Sequence, residues 1–223
     1  MATINSSTGD ITIKTAGTTT IKATTTEAGG FCGGVEKPAT LTVKSPSVKV
    51  TANDNSLCEG ETLTLTANLT NCGTGNSIKW YKGDDLIEDE TSATLTISSV
   101  TTDNSGNYKA VVSGGILCQS QSVASTPITI TVNALPGAPT NLGSATICNG
   151  ETATLPEVTG SWYADANTIT PLASRVVRPT ETTSYFATSK SNNCESSLRT
   201  EYVVTVKSLA DANNYELTKT SEI

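Results

Sequence analysis

Residues 93–112 read Ala-Thr-Leu-Thr-Ile-Ser-Ser-Val-Thr-Thr-Asp-Asn-Ser-Gly-Asn-Tyr-Lys-Ala-Val-Val, with two alternating apolar and polar runs on either side of a polar segment. Strict alternation places the apolar side chains on one face of an extended chain. Residues 93–98 and 107–112 are therefore predicted to form half-buried strands. A third run of the same kind, residues 62–67, precedes them. Asp103 and Gly106 lie between the later two runs, where a tight turn is expected.

The composition of the whole chain favours the same class of fold. Thr accounts for 41 of the 223 residues, whereas aromatic residues make up 4% and charged residues 16%. Thr and Val lose side-chain freedom in helices and pack well on pleated surfaces. No segment has a convincing helical pattern, so the predicted fold class is all-β.

The composition also excludes several classes of function. The chain has no His, and therefore no imidazole base, no Ser-His or Cys-His catalytic pair and no His ligand for a metal. Its net charge of −7 argues against nucleic acid as a partner, since binding phosphate needs a basic face. No apolar run reaches the roughly 18 residues of a membrane span. We expect no enzyme activity, no cofactor, no metal site and no membrane insertion.

The sequence repeats itself at long range. Residues 57–65 read Leu-Cys-Glu-Gly-Glu-Thr-Leu-Thr-Leu, and residues 147–155 read Ile-Cys-Asn-Gly-Glu-Thr-Ala-Thr-Leu. A Trp-Tyr pair follows each stretch, and a second Tyr then stands 10 or 9 residues before a Cys. The pairs are Trp80-Tyr81 and Trp162-Tyr163, and the later tyrosines are Tyr108 and Tyr185. Such self-similarity indicates a tandem array of modules.

Pro and Gly residues mark the joins between the modules, because they interrupt strand pairing and stiffen linkers. They occur around Pro46 and within residues 134–139. The predicted organisation is an incomplete module at 1–45, full modules at 46–133 and 134–207, and a tail at 208–223.

The middle module, residues 46–133, resembles an immunoglobulin-like domain. Trp80 stands where such domains place a core Trp, and residues 103–108 resemble the tyrosine corner that pins the turn before the sixth strand. The usual inter-sheet cysteine positions hold Ala67 and Ala110 instead. The resemblance implies structural core roles for Trp80, Tyr108, Trp162 and Tyr185.

A Cys-x-Gly motif before the second strand, with another Cys after the sixth, resembles the immunoglobulin-like modules of large Bacteroidota cell-surface and adhesin proteins. Residues 1–45 resemble the second half of a group-2 bacterial immunoglobulin-like domain. The resemblance implies tandem immunoglobulin-like β-sandwiches in an extended row, outside the cell and commonly exported by type IX secretion. Residues 1–5 lack the basic start of a signal peptide, which suggests a fragment or a processed form.

Six cysteines in a chain poor in Lys and Arg suggest an oxidising compartment. The absence of a Cys-x-x-Cys pair and of His makes a zinc site improbable. Sequence alone leaves the pairing open. The repeat favours one disulfide in each full module, although the two positions would lie at opposite ends of a sandwich. That pairing is Cys58–Cys118 with Cys148–Cys194; the alternative is Cys72–Cys118, and Cys32 is expected to be unpaired.

Seven residues are weak candidates for contact with a ligand. Tyr81 and Tyr163 follow the core tryptophans, so alternation places them on the opposite, exposed face. A short loop carries five carboxylates, which could bind calcium or act as a general acid, or simply form a solvated edge that blocks sheet pairing. These are Asp84, Asp85, Glu88, Asp89 and Glu90.

The predicted function is structural: a stalk or adhesin segment of an extracellular bacterial surface protein. One alternative is a filament subunit, in which a neighbour's strand, such as the tail 208–223, completes the open first module. Another is a carbohydrate-binding accessory role beside a glycan-active enzyme. The expected partners are further modules of the same polypeptide or neighbouring copies, with a surface glycan or protein as a further candidate.

Overall fold

The computed structural model describes residues 2–5, 7–13, 16–24, 34, 36–72, 74–114 and 119–208. Within these ranges the regular elements are 21 strands and one short 3-10 turn, Thr102–Asn104. The predicted all-β class is confirmed. Cys32, Cys118 and the tail beyond residue 208 lie outside the described residues.

The strands are short and evenly spread along the chain, as expected from the alternating runs. In chain order they are β1 (Ala2–Ile4), β2 (Ile11–Ile13), β3 (Gly17–Thr24), β4 (Glu36–Val43), β5 (Ser47–Ala52), β6 (Ser56–Cys58), β7 (Leu63–Thr70), β8 (Asn76–Lys82), β9 (Asp85–Ile87), β10 (Thr94–Ile97), β11 (Gly106–Gly114), β12 (Gln119–Ala124), β13 (Ile128–Asn133), β14 (Ser144–Cys148), β15 (Ala153–Thr154), β16 (Trp162–Tyr163), β17 (Val176–Val177), β18 (Thr183–Ala187), β19 (Lys190–Ser191), β20 (Cys194–Glu195) and β21 (Thr200–Lys207).

The chain divides into two compact units. The first comprises Met1–Asn55, Thr62–Ser98 and Ser105–Ile130, and the second comprises Ser56–Glu61, Ser99–Asn104 and Thr131–Ile223. This division differs from the predicted modules in two ways. Residues 1–45 group with most of residues 46–133, and three short segments of 46–133, namely Ser56–Glu61, Ser99–Asn104 and residues 131–133, group with the residues that follow.

A two-sheet sandwich forms the main part of the first unit. One sheet has the order β10-β7-β5; the other runs β13-β11-β8-β9, with β12 also paired to β11. Trp80 on β8 lies opposite Ala110 on β11, and both are fully buried. Ala67 on β7 is also buried, so small apolar side chains fill the positions where related sandwiches carry a disulfide.

Residues 2–43 of the first unit form two separate antiparallel ribbons in their described parts. β1 pairs with β2, and β3 pairs with β4 from Gly17↔Val43 to Thr24↔Glu36. Ile4 and Ile11 remain 45% and 46% exposed, because a two-stranded ribbon offers no second layer to cover them.

The second unit is built around a four-stranded sheet of order β14-β21-β18-β16. Its main segment also contains two further strand pairs, β15 with β17 and β19 with β20. The short strand β6 pairs in parallel with β13, at the edge of the sheet that also contains β11, β8 and β9. Trp162 is the largest side chain of its core and meets Tyr202 edge to face at 5.7 Å between ring centroids. The buried core residues are Ala153, Leu155, Trp162, Tyr185, Ala187, Tyr202 and Val204.

The two tryptophans are held in the same way, which supports the repeat seen in the sequence. Trp80 Nε1 donates to the Ser92 carbonyl oxygen at 2.9 Å, and Trp162 Nε1 donates to the Pro156 carbonyl oxygen at 3.0 Å. A buried indole needs such an acceptor, because an unpaired N–H away from water is costly.

Gly160 lies in tight contact with Thr188 and provides a test of the packing. A Cβ at residue 160 would lie 2.6 Å from the Thr188 carbonyl oxygen, which is backbone and cannot swing aside. We expect Gly160→Ala to lower the free energy of unfolding of the second unit by about 1–3 kcal/mol, the usual cost of overpacking. Gly137→Ala is the matched control, since nothing lies within 4 Å of its added methyl. Urea unfolding measures both variants, and equal free energies of unfolding for the two would contradict this packing.

Candidate functional site: a cysteine turn bonded to a hairpin

Residues 58–61, here called the first cysteine turn, begin at the last residue of β6. The Glu61 N–H donates to the Cys58 carbonyl oxygen at 3.1 Å, and the Glu61 carboxylate accepts the Cys58 N–H at 2.7 Å. Gly60 has a φ of 88°, a conformation that side-chain-bearing residues rarely adopt. The Cys-x-Gly-Glu sequence therefore closes this turn and holds the backbone of Cys58.

The partner of this turn is the hairpin formed by β19 and β20. Asn192 and Asn193 connect the two strands with φ values of 48° and 66°. Two successive positive φ values are typical of the two-residue hairpin turns that match strand twist, and Asn tolerates them well. Ser191 lies opposite Cys194, whose side chain is buried.

Cys58 and Cys194 form a disulfide with a Cα–Cα distance of 5.5 Å. Both residues belong to the second unit, in its segments Ser56–Glu61 and Thr131–Ile223. The predicted pairing of Cys58 with Cys118 and of Cys148 with Cys194 is therefore wrong. The turn cysteine of the first repeat bonds the hairpin cysteine of the second. Because the two cysteines belong to different repeats, the bond does not have to span the opposite ends of one sandwich.

The remaining described cysteines are free thiols. Cys72 is buried and Cys148 is exposed. The alternative pairing of Cys72 with Cys118 is therefore also wrong, because Cys72 packs as a small apolar side chain at the end of β7 and is 2% exposed. The expectation that Cys32 is unpaired falls outside the described residues.

Tyr163 bonds the β19–β20 hairpin through Glu195 on β20, and it is not the exposed contact residue that alternation predicts. It is 5% exposed, and its hydroxyl donates to the Glu195 carboxylate at 2.9 Å. The Arg199 guanidinium covers the ring face, with Cζ 3.6 Å from the ring centroid, a cation–π contact. Alternation fails here because β16 is two residues long and both of its side chains are covered.

Arg199 is itself held by backbone carbonyls. Its guanidinium donates to the carbonyl oxygens of Asp165 and Thr168 at 2.9 and 2.7 Å. The Asp165 carboxylate accepts the N–H groups of Asn167 and Thr168, and these bonds lower the pKa of that carboxyl below its ordinary value. Arg199 therefore connects the loop of residues 165–168 to the Tyr163 ring. Tyr163 in turn bonds Glu195, the residue that follows Cys194.

Burial raises the pKa of Tyr163 above its ordinary value near 10, and the bond to Glu195 and the charge of that carboxylate raise it further. The folded protein therefore holds this proton more tightly than the unfolded chain. The stabilisation that this proton contributes is complete below pH 10 and is lost as pH rises through the raised pKa of Tyr163.

We expect the melting temperature to fall above about pH 10. The fall should be smaller in Tyr163→Phe, whereas Tyr81→Phe should follow the parent chain, and circular dichroism melts would measure both. Equal slopes for the two variants would contradict this.

The five carboxylates predicted as contact candidates lie on β9 and its flanking turns. Asp84, Asp85, Glu88 and Asp89 are exposed, and Glu90 is partly covered. Asp84 accepts from Lys109 Nζ at 3.0 Å, and the same Nζ lies 5.5 Å from the ring centroid of the partly buried Tyr81.

In the described part of the chain no three His, Cys, Asp or Glu side chains are placed to hold a metal ion. Among those residues there is likewise no helix long and apolar enough to cross a bilayer.

An open pocket of about 190 Å³ lies beside Trp162, lined among others by Gly160, Leu172 and Arg175. The guanidinium of Arg175 is already engaged, donating to the Leu155 carbonyl oxygen at 2.7 Å and to the Glu157 carboxylate at 3.0 Å. The pocket therefore presents no uncommitted charge to a ligand.

The sequence contains part of the signal for the cross-link. The repeated Cys-x-Gly-Glu motif identifies two equivalent turns, and the Asn-Asn pair before Cys194 identifies a hairpin. The support by Arg199 carries no sequence signal, because Arg199 lies 36 positions from Tyr163 and belongs to no motif.

Two family matches cover most of the two repeats. Residues 45–113 match the family described as immunoglobulin domain, and residues 136–207 match the Ig-like domain that is CHU_C associated. The chain therefore carries immunoglobulin-like modules in tandem, and the Cys58–Cys194 disulfide connects a residue in each matched segment. A search of curated proteins gave no match.

Solved structures show weaker similarity. Three N-terminal domains of the highly immunogenic outer capsid protein of bacteriophage RB49 are 17% identical, with a TM-score of 0.48 over 73% of this chain and 59% of that one. Fibronectin(III)-like modules of Clostridium thermocellum CbhA are 15% identical, with a TM-score of 0.42 over 71% and 94%. The second Ig-C2 domain of human Fc-receptor like A is 17% identical, with a TM-score of 0.32 over 41% and 99%.

Proposed function

We propose that this chain is a non-catalytic, load-bearing segment of an extracellular bacterial surface protein, a stalk or the stem of an adhesin. The observation that carries the proposal is the Cys58–Cys194 disulfide, which joins two consecutive immunoglobulin-like modules covalently. Disulfides form and persist in oxidising surroundings, which supports the proposed site of action outside the cytoplasm.

A covalent bond between consecutive modules suits a segment under tension. Without this bond, force would pass from one matched segment to the next along the backbone between them, residues 114–135. With the disulfide closed, the 136-residue separation between Cys58 and Cys194 is bypassed. Force applied to the chain ends then crosses from one module to the next through the sulfur atoms.

The buried support behind Cys194 favours the same role. Tyr163, Glu195 and Arg199 are tied to one another and to the backbone, which holds the hairpin against displacement. These side chains are satisfied by partners within the protein, so they act as a brace and offer little to a ligand.

Single-molecule pulling on the full chain tests this proposal. Without reductant, the residues between Cys58 and Cys194 should add nothing to the contour length that is measured when the chain unfolds. After reduction the contour length should grow by about 490 Å, from the 136-residue separation at roughly 3.6 Å per residue. The double variant Cys58→Ser with Cys194→Ser should show the longer length in both buffers. A chain that unfolds at equal force and to equal length in both buffers would overturn the load-bearing role.

A further inference from the structure

We propose that residues 148–151, here called the second cysteine turn, are the attachment point for a further immunoglobulin-like module that follows Lys207 in the polypeptide. The hairpin cysteine of that module would form a disulfide with Cys148. This junction concerns how modules are joined, and it does not depend on whether the chain bears load.

The second cysteine turn reproduces the hydrogen bonds of the first. The Cys148 N–H donates to the Glu151 carboxylate at 2.8 Å, where the Cys58 N–H donates to Glu61 at 2.7 Å. The Glu N–H returns to the Cys carbonyl oxygen at 3.0 Å in the second turn and 3.1 Å in the first. The glycine of the second turn has a φ of 93°, against 88° in the first.

The strands that lead into the two turns, β6 and β14, are also paired in the same way. Cys58 lies opposite Asn133 in a parallel pair, and Cys148 lies opposite Lys207 in another parallel pair. In each case the residue after the cysteine donates its N–H to the opposite residue's carbonyl oxygen, at 3.0 Å and 2.9 Å. Behind Asn133 the chain continues into the module that supplies Cys194. A module joined behind Lys207 would start from the equivalent position.

The two cysteines of these turns differ in what they are bonded to. The first holds the sulfur of a hairpin cysteine, whereas Cys148 in the second is an exposed free thiol. The occupied copy identifies the chemistry of the missing partner: a cysteine on a short hairpin between the last two main strands of a module like residues 136–207.

The bond forms by ordinary thiol–disulfide exchange with a disulfide oxidant such as oxidised glutathione. The Cys148 thiolate attacks one glutathione sulfur, forming a mixed disulfide and releasing one glutathione thiolate. The hairpin thiolate then attacks the Cys148 sulfur and releases the second glutathione. Two protein thiols lose two protons and two electrons, and one glutathione disulfide becomes two thiols.

The test inserts a second copy of residues 134–207 between Lys207 and Ser208 of the full chain. After equilibration with glutathione disulfide, mass spectrometry of an unreduced digest should show Cys148 of the parent module joined to the hairpin cysteine of the insert. Maleimide labelling of that Cys148 should be lost. In the matched control, Cys194→Ser in the inserted copy, Cys148 should stay labelled.

Two results would overturn the proposal. One is a parent-module Cys148 that stays free beside the cysteine-bearing insert. The other is a Cys148 bonded to a second polypeptide, seen as a disulfide-linked dimer on an unreduced gel, which would assign the turn to neighbouring copies.

Discussion

Replacing Cys58 and Cys194 together by serine is expected to lower the free energy of unfolding by roughly 5 kcal/mol in the chain-entropy description of disulfides. The reason is the length of the closed loop, since the two cysteines are 136 positions apart in sequence. The bond restricts the unfolded chain strongly, and removing it restores that lost freedom.

Cys148→Ser is the control for this double variant. Cys148 is an exposed free thiol, so its replacement should change the stability by no more than about 0.5 kcal/mol. Urea unfolding without reductant, followed by tryptophan fluorescence, measures both. Equal midpoints for the double variant and for Cys148→Ser would show that the Cys58–Cys194 bond does not form.

The second large effect is expected at the tryptophans. Trp80 and Trp162 fill the centres of their cores, with 0% and 3% of their surface exposed. Either Trp→Ala change should cost about 3–5 kcal/mol, the usual loss when a buried aromatic side chain leaves a cavity. Because each core surrounds its own tryptophan, we expect the loss to fall on the transition of the unit that carries the substitution.

Conservative variants separate the packing from the hydrogen bond. Trp80→Phe keeps a ring in the core but leaves the Ser92 carbonyl oxygen without its indole donor, and should cost about 1–3 kcal/mol. Tyr81→Ala, next along the strand and only partly buried, should cost less than either. Hydrogen exchange would report which amides lose protection. A Trp80→Ala chain as stable as Tyr81→Ala would contradict the core placement.

The sequence predicts the strands well, because alternation and turn residues act locally. The run at residues 93–98 contains β10, and that at 107–112 lies within β11. The repeat of the Cys-x-Gly-Glu motif likewise predicts two equivalent turns. Their geometry depends only on four consecutive residues, so sequence comparison is sufficient to recognise it.

The pairing of the cysteines could not be predicted in the same way. Treating each repeat as a closed unit assigns Cys58 a partner in its own module, whereas the bond crosses to Cys194 in the next. Tyr163 shows the same limit: its burial results from Arg199, a residue distant in sequence, and no local pattern records that contact.

Cleavage of the linker tests the cross-link most directly. A protease site inserted between Gly137 and Ala138, near the start of the second matched segment, would allow the full chain to be cut between Cys58 and Cys194. On an unreduced denaturing gel the two fragments should migrate as one species, and they should separate after reduction. In the double variant Cys58→Ser with Cys194→Ser they should separate in both conditions. Fragments of the parent chain that separate without reductant would show that no bond joins Cys58 to Cys194.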